Sequence, residues 1–139
     1  MGVTTAIRVV PALLLLVLVA GVIPASSAVQ PSGFAFGRLG GNIRPYSVAI
    51  ANSGTVSTSG AVAVNRKKLT SAQLASLNRV ATETSFVTLP KATNCRGTLP
   101  DVAATYIRVG ARTVRVHGAC VPRYQRLLKA LQASVHIST

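Results

Sequence analysis

The spacing of apolar residues changes along this chain, and that change most limits the folds it can adopt. Between residues 105 and 117, apolar and polar residues alternate on either side of Gly110, which predicts two antiparallel strands joined by a tight turn. After Pro122, apolar residues recur at intervals of three and four, which predicts a helix with one buried face. That face contains Tyr124, Leu127, Leu128, Leu131 and Val135.

The first half of the chain begins with a similar strand pattern. Phe34 and Phe36 alternate with small residues, and Gly40-Gly41 ends this predicted strand. Residues 47–51 and 55–58 flank Asn-Ser-Gly, a turn sequence that predicts a hairpin. Residues 61–64 are expected to be extended as well.

A helix is predicted to follow these strands. Thr70 and Gln73 have the spacing of a capping box, and Leu69 and Leu74 have that of a hydrophobic staple. The helix is expected to end near Glu83. The predicted order is therefore β-β-β-α-β-β-α. The fold class is α+β, with an antiparallel β-sheet built from hairpins and two α-helices packed on one face.

The N-terminus has the pattern of a secretory signal peptide. Arg8 precedes an apolar run over residues 12–23, and small residues lead up to Ala28. We expect residues 1–28 to be a signal peptide, 29–33 a flexible leader and 34–139 a single secreted domain. The alternative is an uncleaved membrane anchor, but the apolar run is shorter than the roughly 20 residues that a span needs.

The chain has two cysteines, Cys95 and Cys120. In an exported protein an even pair predicts a disulfide, here closing a loop of about 25 residues. A free thiol activated by His117 is one alternative, and a zinc site that adds His117 and His136 to both cysteines is another. The spacing matches no known zinc module, so we expect no metal and no cofactor.

The charge is strongly unbalanced. Fourteen lysines and arginines follow Ala28, against Glu83 and Asp101 alone. Few cations can be paired internally, so the surface should attract anions, although a solvated basic surface with no dedicated ligand is the plain alternative. A carboxylate-pair enzyme would need both acids in one cleft, and no catalytic motif accompanies them. We therefore expect a protein that is not an enzyme.

The second hairpin carries the best candidate binding residues. Alternation places Tyr106, Arg108, Arg115 and His117 on one face, with Arg112 at the tip. Arginine with tyrosine can bind phosphates or stack on bases, and it can equally anchor an acidic protein surface. The pattern is ordinary strand alternation, so it does not distinguish these ligands.

Five stretches carry a resemblance to a known family: Gly40-Gly41-Asn42-Ile43, Phe86 with Leu89-Pro90, residues 101–109, residues 112–116 and the helix from Pro122. Together they resemble emfourin, a family of small bacterial inhibitors of thermolysin-type metalloproteases. The layout is also similar to that of many small secreted actinobacterial proteins. The resemblance implies protease inhibition and makes Gly40 and Gly41 candidate contact residues. This chain departs from the family in its two cysteines and its much higher basic charge.

Two functional hypotheses follow. The first is a small secreted basic binding protein, a monomer that recognises a protein partner and, by the resemblance, inhibits an extracellular metalloprotease. The second is an electrostatic binder of an anionic cell-envelope polymer or membrane surface, with no specific partner. Nucleic acid is not expected as the natural partner of an exported chain. No membrane span is expected after cleavage.

Overall fold

The computed structural model describes Gly2 and residues 33–138. The predicted signal peptide, apart from Gly2, and the leader up to Ser32 lie outside the described residues. Gly33, the last residue of the predicted leader, already belongs to the domain, because its carbonyl oxygen accepts a hydrogen bond from the Gly110 amide at 3.0 Å. No helix in the described part of the chain is long and apolar enough to cross a membrane.

Six strands form one twisted sheet in the order β3-β2-β1-β6-β7-β5. All neighbours are antiparallel except β5 and β7, which are parallel. Two further short strands, β4 and β8, pair with each other in a separate ribbon. The strands are β1 Phe34–Leu39, β2 Tyr46–Ile50, β3 Val56–Gly60, β4 Ala63–Val64, β5 Ala92–Asn94, β6 Ala104–Val109, β7 Arg112–His117 and β8 Ile137–Ser138.

Two helices, α1 (Ser71–Glu83) and α2 (Pro122–Val135), cover one face of the main sheet, and a 3₁₀ turn spans Phe86–Thr88. The apolar stripe predicted on α2 is buried in full. It packs against the strand residues that point the same way, with Phe36 of β1 directly between Val48 and Ile107. The predicted α+β class and order of main elements are confirmed.

The start of α1 is set by local chemistry, as predicted. The Thr70 hydroxyl accepts a hydrogen bond from the Gln73 amide at 3.2 Å, and the Gln73 side chain accepts one from the Thr70 amide at 2.9 Å. This capping box satisfies two amides that have no partner inside the helix. The helix ends at Glu83, also as predicted.

The predicted disulfide is confirmed: Cys95 and Cys120 are bonded, with their Cα atoms 5.6 Å apart. Strand β5 was not predicted, because residues 91–100 have the composition of a polar loop. It pairs with β7 through bonds from the Arg115 amide to the Lys91 carbonyl and from the Cys95 amide to the His117 carbonyl, each 2.9 Å. Only tertiary contact with β7 makes these three residues a strand.

Tyr124 leads to a pH prediction. Burial raises the pKa of its hydroxyl to about 12; the hydrogen bond that it donates to Thr105 at 3.0 Å opposes this shift and nearby Tyr46 adds to it. The folded pKa lies above the unfolded value of about 10, so the folded state holds its proton where the unfolded state has lost it. The stabilising contribution is full below about pH 10 and is lost as the pH rises through 12.

We expect the free energy of unfolding to fall between pH 10 and 12 by up to about 1.4 kcal/mol per pH unit from this group. Urea unfolding followed by circular dichroism at several pH values measures it. Tyr124→Phe is the control: it loses the bond to Thr105, and its pH dependence should be shallower by that amount. Parallel curves for the two proteins would show that Tyr124 does not titrate in this way.

Candidate functional site

The face of the sheet opposite the helices, here called the outer face, carries most of the predicted binding residues. In the β6–β7 pair, Tyr106 lies opposite Arg115 and Arg108 lies opposite Thr113. Residues Ile107 and Val114 of the same hairpin point into the core. The alternation that placed Tyr106, Arg108 and Arg115 together is therefore confirmed. Both arginines are exposed.

Tyr106 is held in place across the middle of the outer face. Its hydroxyl is 2.6 Å from the Ser47 hydroxyl on β2, so the ring crosses the intervening strand β1. It does so at Gly37, where an added Cβ would lie 3.0 Å from the ring and 2.1 Å from the Tyr46 carbonyl oxygen. Glycine is therefore required for the close approach. Apart from Leu39 at the end of β1, the other outer-face residues of β1–β3 are small: Ala35, Ser47, Ala49, Ser57 and Ser59.

His117 lies at one end of the outer face and is half-buried. Its Nε2 is 2.9 Å from the carbonyl oxygen of Val102, and its own carbonyl accepts the Cys95 amide at 2.9 Å. The ring thus fixes the loop between β5 and β6 to the end of β7. Its contribution to the outer face is to position that loop.

Arg112 departs from the predicted cluster. The turn of the second hairpin is Gly110–Ala111, so Arg112 is already the first residue of β7 and pairs with Val109. The strand alternation then directs its side chain to the helix side, where the guanidinium donates to the carbonyl of Leu89. Arg112 is a half-buried structural residue on the opposite side of the sheet from Arg108 and Arg115.

Gly40 and Gly41 form the turn after β1, with φ angles of 70° and 69°. A Cβ on Gly41 would lie 2.5 Å from the carbonyl oxygen of Asp101, and the next amide, that of Asn42, donates to this oxygen at 3.0 Å. The glycine pair therefore joins two loops at the end of the sheet that also carries His117. It does not contact the Tyr106–Arg115 part of the outer face.

Sequence reasoning missed a group of apolar residues in these two loops and at the end of β1. Loop residues carry no periodicity, so nothing in the pattern separated exposed from buried ones. Composition gave a weak signal, because large apolar residues stood inside stretches rich in glycine, proline and arginine. The residues that the structure exposes there are Leu39, Ile43, Leu99 and Val102.

The positive charge remains largely unpaired. Within residues 33–138 there is one ion pair, between Arg126 and Glu83 at 2.7 Å, and both side chains are exposed. Arg38 is half-buried; its guanidinium carbon lies 5.0 Å from the centre of the Tyr46 ring, and its Nε donates to the Arg44 carbonyl at 3.3 Å. Exposed arginines such as Arg108 and Arg115 keep their charge available to an external anion.

The structure does not bring together the residues that the sequence offered for catalysis. Both cysteines are in the disulfide, so no thiol is left for His117 to activate. Glu83 is tied to Arg126 beside the helix layer, whereas Asp101 lies in a loop at the end of the sheet. Across the part of the chain that is described, no three His, Cys, Asp or Glu residues are grouped as metal ligands. The arrangement is suited to binding through charge, stacking and shape.

No protein-family model matches this chain, and searches of curated proteins and of solved structures likewise found no match. The resemblance to emfourin therefore stays a prediction.

Proposed function

We propose that this protein is an exported, non-enzymatic binding protein that recognises a protein partner through the outer face of its sheet. Export rests on the predicted signal peptide, residues 1–28, and agrees with the disulfide, because such bonds persist in oxidising compartments. By the resemblance to emfourin, an extracellular thermolysin-type metalloprotease is the first partner class to test.

The observation that carries the proposal is the composition of the sheet face that neither helix of residues 33–138 covers. The helices bury one side, and the other presents Tyr106, Arg108 and Arg115 beside a floor of small side chains. Tyrosine and arginine are enriched among the residues that dominate binding energy at interfaces. Tyr106 is already fixed by Ser47, so little conformational entropy is lost when a partner packs on it.

The second candidate function is electrostatic binding of an anionic envelope polymer or membrane surface. It is supported by exposed basic residues that lie outside the outer face, among them Lys67 and Lys68 before α1 and Lys129 on α2. Such binding depends on counterion release and weakens steeply with added salt. A shape-specific protein interface depends on salt much less.

A pull-down from culture medium at low and high salt tests the proposal. We expect a partner protein to be retained at both salt concentrations. The variant Arg108→Gln/Arg115→Gln should bind that partner at least about tenfold more weakly, because two anchoring side chains are lost. The control Arg79→Gln/Lys129→Gln removes the same charge from the helix side and should bind normally. The same variants are then assayed as inhibitors of a thermolysin-type protease at micromolar concentration.

Three results would each contradict one part of the proposal. If the partner is lost at high salt, and if the outer-face and helix-side charge variants weaken its binding equally, the result favours the polyanion binder. A protease that is not slowed removes the inhibitor hypothesis but leaves the binding protein. Protein that stays in the cells and keeps residues 1–28 removes the export step.

A further inference from the structure

Four exposed apolar side chains lie at one end of the sheet, where the loop from β1 to β2 meets the loop from β5 to β6. They are Leu39, Ile43, Leu99 and Val102, whose exposed fractions are 39, 49, 64 and 43%, respectively. We call them the loop-end patch. Among the large apolar residues described as exposed, only Val87 lies elsewhere. Apolar residues that are exposed in a cluster, rather than singly, mark an interaction site.

The backbone holds the two loops against each other. The Asn42 amide donates to the Asp101 carbonyl at 3.0 Å, and a Cβ on Gly41 would lie 2.6 Å from the Ala103 nitrogen. Leu39, the last residue of β1, is directly opposite Ala104, the first of β6. The patch is therefore built from both loops and adjoins the outer face, to which Leu39 belongs by strand alternation.

The second loop is pinned at several points. It begins at Cys95 in the disulfide, and the His117 ring contacts the Val102 carbonyl at 2.9 Å. The Val102 amide in turn donates to the Leu99 carbonyl at 3.1 Å. Apolar side chains on a pinned loop lose little freedom when a partner covers them, so more of their burial appears as affinity.

The charges around the patch define the partner. Arg44 and Arg96 are exposed in the same two loops, and neither has an ion pair within the described residues. A complementary surface would place carboxylates around an apolar centre. We propose that the loop-end patch is the apolar anchor for an acidic protein partner, one that presents an aliphatic or aromatic side chain ringed by carboxylates. This inference rests on the proposed function and specifies the chemistry of that partner.

An anionic membrane would satisfy the same arginines but fits the patch less well. Residues that anchor proteins at a membrane surface are typically tryptophan and tyrosine, whereas the patch is entirely aliphatic. The structure therefore favours a protein surface, and lipid binding becomes an outcome of the test.

Two fluorescein-labelled peptides of equal charge test the inference. Each peptide has two glutamates at its N-terminal end and two at its C-terminal end. The apolar-centred peptide has leucine, phenylalanine and leucine between them, and the polar-centred peptide has three serines there. Fluorescence anisotropy at about 150 mM salt, where long-range charge effects are screened, gives their affinities. We expect the apolar-centred peptide to bind wild type about tenfold more tightly. Leu99→Ser and Ile43→Ser should each abolish that preference.

Val87→Ser is the matched control, because it removes an equally exposed aliphatic side chain outside the patch. It should keep the preference, and all three variants should unfold at the wild-type temperature. The inference is wrong if the two peptides bind wild type equally, if the preference survives both patch substitutions, or if Val87→Ser loses it too. Vesicles of phosphatidylcholine with about one quarter phosphatidylglycerol provide the lipid arm. Patch-dependent vesicle binding without a peptide preference would mean a membrane site.

The proposed function and this inference can fail separately. The proposed function depends on Arg108 and Arg115 in the pull-down, whereas the patch is tested by a difference between peptides of identical charge. Loss of a partner in the arginine variant, together with equal peptide affinities, would keep the outer face as the binding surface and remove the patch.

Discussion

Replacing Cys95 and Cys120 with serine should lower the free energy of unfolding by about 3.5 kcal/mol, because the disulfide closes a loop of about 25 residues. In the chain-entropy model the bond restricts the unfolded chain, and its removal returns that freedom. For a domain of this size the loss should appear as a fall of more than about 10 °C in the unfolding temperature. Urea and thermal unfolding of the double variant measure it.

Two comparisons make this result specific. Intact mass should show the exported protein lighter by two hydrogens than its reduced form, and reduction of wild type should reproduce the stability of the double-serine variant. The same loop carries Leu99 and Val102, so the variant should also bind the apolar-centred peptide less tightly. Unchanged unfolding after complete reduction would mean that the bridge contributes little to the fold.

Phe36→Ala should destabilise the protein by about 3–5 kcal/mol, the usual cost of deleting a buried aromatic side chain. Phe36 has no exposed surface and lies in the central strand β1, between Val48 of β2 and Ile107 of β6. Its loss leaves a cavity that neighbours on both strands cannot fill without moving the sheet. Equilibrium urea unfolding gives the difference directly.

Val87→Ala is the control for this substitution, since an exposed side chain outside the core should change stability by no more than about 0.5 kcal/mol. If Phe36→Ala cost as little as Val87→Ala, the described core would not be the one that stabilises the domain. For Phe36→Ala, the slope of the free energy of unfolding against urea concentration should match that of wild type, because a cavity alone does not change the surface exposed on unfolding.

The core and the proposed binding residues lie on different parts of the sheet. Phe36 stabilises the sheet from its helix side, whereas Tyr106 lies on the outer face and the loop-end patch at its end. Exposed residues such as Arg108 and Leu99 can therefore be changed with little loss of stability. This makes the binding experiments interpretable, because affinity and folding can be measured independently.

Local chemistry explains what could be read from the sequence. The capping box of Thr70 and Gln73 forms within four residues, and the α2 stripe follows from helical geometry alone. Alternation in β6 and β7 assigned Tyr106, Arg108 and Arg115 to the outer face correctly. The prediction that placed Arg112 at the tip was wrong, because the turn has two residues and Arg112 already belongs to β7, where alternation directs it to the side opposite Arg115.

By itself, then, the sequence determined the α+β class, the element order, the disulfide and the excess of unpaired positive charge, since each depends on residue types or on neighbours close along the chain. The tertiary structure alone decided that three residues after Lys91 become strand β5, that Tyr106 spans Gly37 to reach Ser47, and that two distant loops expose Leu39 and Leu99 at one end of the sheet. These features arise from contacts between residues far apart in sequence, and such contacts leave no periodic signal in the segments that make them.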